Sequence, residues 1–164
     1  MRFKDQVSKE VVETLIKDIA KYILNIEIKE FEFLDKESQR TESRRADVVV
    51  KVNNEFILHM EIQNSNDKTM PIRMLRYFGD IRLKSIEDKE IFPIKQYLIY
   101  IGKNRLNMKD SIVEDGINYR YNLIDIRDID CETLLKLDSP DALVLAILCD
   151  FKEKNPKDVV FYIL

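Results

Sequence analysis

Residues Ala46 to Asn64 read as a β-hairpin. Two runs rich in β-branched and aromatic residues, Ala46–Val52 and Glu55–Gln63, flank the pair Asn53-Asn54. Side chains alternate across a strand with period two. Val48, Val50 and Val52 therefore share a face, as do Phe56, Leu58, Met60 and Ile62, and this side reads as a core face. The other side carries Asp47, Val49 and Lys51, then Ile57, His59, Glu61 and Gln63. It is mixed, and its polar end gathers two carboxylates and an amide. A two-residue loop would set Asp47 opposite Met60 and break both face patterns. A three-residue loop, or one bulge, sets Asp47 opposite Glu61 and keeps them. The spacing thus predicts one odd residue at the turn. Two carboxylates then lie side by side, which costs stability unless a cation neutralises them. Oxygen ligands of this kind suit Mg²⁺ or Mn²⁺.

Size and charge bound the alternatives. A chain of 164 residues fits one domain with a single core, residues 1–164. The net charge of −3 supplies no global basic field, so any nucleic-acid contact needs a local patch. Cys131 and Cys149 lack metal-type spacing and read as buried thiols in a reducing compartment. No secretory signal is visible, and no apolar run approaches the roughly 18 residues that span a membrane. A cytoplasmic protein without membrane contact is expected. The single histidine, His59, argues against His-rich zinc chemistry and a Ser-His-Asp triad.

Around the hairpin the pattern alternates helix and strand. Residues 5 to 26 carry Val7, Val11, Leu15, Ile19, Tyr22, Ile23 and Ile26 on one helical stripe. Ile28 to Leu34 reads as a short strand, followed by a polar loop with Arg40, Arg44 and Arg45. Pro71 opens a helix on which Arg73, Arg76 and Tyr77 follow. Gln96 to Ile101 reads as a buried strand, and a helix between strands suggests a crossover and a mixed sheet. Asp115-Gly116 is a turn before a strand from Asn118 to Ile126. Ser139-Pro140 and Pro156 start helices in a C-terminal helical part over residues 131–164. The apolar run at the last residues suggests a chain cut short or a partner surface, which leaves a homodimer open.

This order resembles the PD-(D/E)XK nuclease superfamily, and more narrowly its recombination-promoting nuclease group of transposase-like proteins. Four segments carry the resemblance: Asp5-Gln6-Val7 with Lys9-Glu10, Arg44-Arg45-Ala46-Asp47, Leu58-His59-Met60-Glu61-Ile62-Gln63, and Pro71-Ile72-Arg73-Met74-Leu75-Arg76-Tyr77. The resemblance covers residues 3 to 102, and more weakly the rest to Asp150. The resemblance implies an α/β fold with a restriction-endonuclease-like core, about residues 3–126. That core is a mixed β-sheet flanked by helices, with a C-terminal helical extension. It implies a Mg²⁺- or Mn²⁺-dependent DNA endonuclease, a hydrolase of phosphodiester bonds linked to recombination or transposition. Asp47, Glu61 and Gln63 are then catalytic. Asp47, Glu61 and the Ile62 carbonyl hold the metal, with Glu10 as a further carboxylate and Asp5 and Glu13 as its rivals. The superfamily usually has Lys where this chain has Gln63, which can hydrogen-bond a water but carries no charge. Glu-x-Gln is usual in the narrower group.

Each of these residues also has a plainer reading. Asp47 and Glu61 can sit on a solvated strand face, and Gln63 can be a cross-strand hydrogen-bonding residue. His59 can fill the mixed face or contact phosphate. Arg73, Arg76 and Tyr77 can form a salt-bridged face, or contact phosphates and stack on a base. The alternative to the nuclease is a catalytically weak or inactive nucleic-acid-binding or assembly module on the same fold. A protein–protein module is the third reading.

Overall fold

The computed structural model describes residues 12–34 and 46–130. Asp5, Glu10, Arg40, Arg44, Arg45, both cysteines and the expected C-terminal helices lie outside them. The chain divides into two compact units, Lys29–Asp125 and Met1–Ile28 with Ile126–Leu164.

In the terminal unit, helix α1 covers residues 12–18 and passes into a π turn, Ile19–Ile23. The Leu24 N–H donates to the Ile19 carbonyl at 3.2 Å, a five-residue step. Ile16, Ile19, Ala20, Ile23 and Leu24 are buried. Apolar doublets recur every four residues here, so the stripe is two residues wide. Its buried centre runs through Ile16 rather than the expected Leu15. Asn25, at φ 55°, ends the helix in the left-handed region, a conformation its side chain tolerates.

The central unit is α/β and is built on a mixed sheet of five strands. These are β1 (Phe31–Phe33), β2 (Val48–Val52), β3 (Phe56–Gln63), β4 (Ile94–Tyr100) and β7 (Asn122–Asp125), lying side by side in that order. β1, β2 and β3 pair antiparallel, while β4 runs parallel to β3 and β7 parallel to β4. Parallel neighbours need a crossover. Helix α2 (Met70–Glu87) supplies it between β3 and β4. Between β4 and β7 a separate hairpin intervenes, β5 (Ser111–Glu114) and β6 (Ile117–Arg120), turned at Asp115-Gly116 with Gly116 at φ 79°. The single strand expected from Asn118 to Ile126 is therefore two, broken at Tyr121 and shared between two sheets.

β3 is buried on both faces, as a strand at the centre of a sheet is. Val50, Val52, Leu58 and Met60 form the core face that the sequence pattern predicts. Ile62, expected on that face, is 42% exposed, because the strand end runs out beyond the core. The mixed face differs more. Val49, Ile57, His59 and Glu61 are all buried. α2 sits on this side: Met70, Met74 and Tyr77 pack with Leu98 and Tyr100 of β4 and with Met108 and Tyr121. Ile72 of α2 is exposed.

Candidate functional site

The turn of the β2–β3 hairpin sets the geometry of the site. Val52 pairs with Phe56, so the loop is the three residues 53–55 and the odd residue is present. Asn53 and Asn54 both adopt positive φ, at 49° and 57°. The Asn53 side chain holds the turn by accepting the N–H groups of Lys29 and Glu30 at 2.9 and 3.2 Å. The same register pairs Val48 with Met60, and one step further Asp47 faces Glu61.

At that step side chains take over from the strand ladder. The Asp47 N–H donates to Glu61 Oε1 at 2.8 Å, and the Ile62 N–H donates to Asp47 Oδ2 at 2.9 Å. Each carboxylate thus caps a backbone donor that the fraying strands leave over, and such charge-assisted bonds are the stronger kind. Glu61 is 3% exposed and Asp47 is open to solvent. Desolvation raises the Asp47 carboxyl above its ordinary range, and the Glu61 charge adds to the rise. The Ile62 N–H opposes it, with His59 and Arg73.

His59 lies beside the pair and is fully buried. Its Nε2 is 3.0 Å from Glu61 Oε1, and its Nδ1 is 2.9 Å from Gln96 Nε2. Gln96 Nε2 also donates to the Met74 carbonyl at 3.0 Å, and Gln96 Oε1 accepts the Tyr119 hydroxyl at 2.7 Å. Of the two readings of His59, it fills the mixed face and makes no contact with phosphate, because no part of the ring reaches the surface. Tyr77 is corrected for the same reason. It is 2% exposed and meets His59 edge-on, with ring centroids 5.3 Å apart, so it cannot stack on a base.

Arg73 lies on the same helix and points back toward the site. Its guanidinium bonds Tyr77 Oη at 3.4 Å and Asp67 Oδ2 at 3.3 Å. The Tyr77 contact is the main reason its pKa rises, and the Glu61 charge contributes. Arg76 is exposed and lies over the Tyr77 ring at 4.9 Å. Gln63, two residues along β3 from Glu61 on the same face, donates to Ser65 Oγ at 3.3 Å. Glu13 belongs to the terminal unit.

Two oxygens, Asp47 Oδ1 and Glu61 Oε2, make no hydrogen bond among the described residues. Hard and anionic, on neighbouring side chains, they suit Mg²⁺ or Mn²⁺. No cluster of three acidic, histidine or cysteine side chains forms among the described residues. Mg²⁺ commonly takes only one or two carboxylates and keeps its waters, so the donor set fits.

Gln96 and Tyr119 are the residues that sequence reasoning missed. Gln96 gave one signal, a polar side chain at the head of an apolar strand. β4 sets it beside His59 in the parallel register. No protein-family model matches this chain, no curated protein matches it, and no solved structure matches its fold.

Proposed function

We propose that this protein is a Mg²⁺- or Mn²⁺-dependent DNA endonuclease of the PD-(D/E)XK kind, acting in recombination or transposition. One observation carries the reading: Asp47 and Glu61 lie side by side, each tied to the backbone through one oxygen. A divalent ion held by these two side chains would polarise a phosphodiester and lower the pKa of a water. Asp47 and Glu61 hold the ion, with the Ile62 carbonyl as a further oxygen. Gln63 lies on the Glu61 face and can orient the water through its amide, without charge. Arg76 is the exposed cation of α2 nearest the site in sequence, and guanidinium binds phosphate bidentately.

Nicking of supercoiled plasmid tests this. Wild type should cut with Mn²⁺ and not with chelator, and Asp47→Ala and Glu61→Ala should each lose at least about a hundredfold in rate, as removal of a key electrostatic group does. Equal cutting by all three would mean a contaminant and would sink the reading. The second reading, a non-catalytic nucleic-acid-binding module, is favoured by the uncharged Gln63 amide being engaged with Ser65. It requires DNA affinity without metal that falls steeply with salt.

A further inference from the structure

The hydrogen bonds behind Glu61 run in one direction. The Met74 carbonyl can only accept, so the Gln96 amide must turn its NH₂ toward it, at 3.0 Å. The Tyr119 hydroxyl donates to the opposite end, Gln96 Oε1, at 2.7 Å. Burial and the neighbouring Tyr121 raise the Tyr119 pKa, which keeps its proton in place. With both ends of the amide fixed, the same NH₂ meets His59 Nδ1 at 2.9 Å. Nδ1 must then present its lone pair, and the ring proton sits on Nε2, facing Glu61 Oε1 at 3.0 Å. Glu61 Oε1 therefore takes two donors, His59 and the Asp47 N–H, and its plane is held. A ring in the other tautomer would turn a lone pair on the carboxylate and repel it.

We infer that Gln96, anchored by Tyr119, is a positioning residue that locks His59 as a donor to Glu61 and so aims the free Glu61 oxygen at the ion. The inference rests on the reading of Asp47 and Glu61 as metal ligands. It assigns metal affinity to residues on β4 and β6 that touch neither the ion nor the substrate. Outer-shell partners of this kind change metal affinity about ten- to a hundredfold when removed.

The chain has one histidine, so its ring nitrogens can be read without assignment in a ¹⁵N spectrum of the whole protein. In its neutral ring, wild type should show only the Nε2–H tautomer. Gln96→Leu should lose that single tautomer and weaken Mn²⁺ binding about ten- to a hundredfold. Tyr119→Phe, which keeps the ring and the packing, should shift both readings the same way by less, and it serves if Gln96→Leu does not fold. An Nδ1–H tautomer in wild type overturns the lock. Folded variants with unchanged tautomer and unchanged Mn²⁺ affinity overturn it too. If wild type binds no Mn²⁺ but the tautomer still depends on Gln96, the metal reading fails and the lock stands.

Discussion

Asp67 shows how a single residue ties the site to the helix beside it. Its carboxylate accepts the Thr69 N–H at 2.8 Å and the Thr69 hydroxyl at 2.7 Å, an Asx turn that leads into α2. It also pairs with Arg73. The Thr69 bonds, more than the Arg73 charge, hold the Asp67 carboxyl below its usual range. An acid whose pKa is lowered by folding adds stability above its unfolded pKa, and that stability is lost as pH falls through the folded value. Asp67→Ala should therefore cost about 1 kcal/mol at neutral pH. The gap from wild type should narrow as pH drops below about 4. Urea melts across that range would show it, and a gap that stays constant with pH would mean that charge plays no part. The sequence marked this segment only as a polar turn. A residue that forms the turn before a helix and also pairs with Arg73 has the same composition as any loop acid.

At the scale of elements, the hairpin was legible and its surroundings were not. The odd residue at the turn and the pairing of Asp47 with Glu61 followed from period-two alternation alone. The burial of the mixed face did not, because Glu61 looks solvated and His59 and Gln96 show no partners when each strand is read by itself. They are buried as a hydrogen-bonded set, in which His59 and Gln96 lie 37 residues apart on strands that meet only in the sheet. Tyr77 was misread in the same way: a tyrosine four residues from an arginine looks like a surface pair. Beyond β4 the chain depends on a close approach at Gly102. A Cβ there would strike the Tyr100 phenol and the Asn64 carbonyl. Tyr100 Oη and Asn66 hold the loop that follows, through Asn104 O at 2.9 Å, Arg105 O at 2.9 Å and the Asn107 N–H at 2.8 Å. Gly102→Ala should cost about 1–3 kcal/mol, the range for forcing atoms into a filled space. Denaturant melts with an unchanged slope would confirm a native-state clash, and a variant as stable as wild type would show that the loop yields.

For the whole molecule, the mild net charge of −3 and the pairing of Lys51, Arg73 and Lys84 with acids place any nucleic-acid affinity in a few local contacts. Among the described residues no helix is long and apolar enough to cross a membrane. The account stands on the carboxylate pair. Asp47 has a raised pKa, so its ionised form costs the metal-free fold stability, and that cost grows as pH rises through the folded value. Asp47→Asn and Glu61→Gln keep an oxygen to accept the backbone N–H and remove one charge. Both should match or slightly exceed wild type in metal-free stability. A divalent ion bound only to the folded state adds about 2.7 kcal/mol at one hundred times its dissociation constant. The direct test is the thermal melt of these three proteins at neutral pH, with and without millimolar Mn²⁺. The account predicts a rise in Tm for wild type alone. No rise in wild type, or an equal rise in all three, would contradict it.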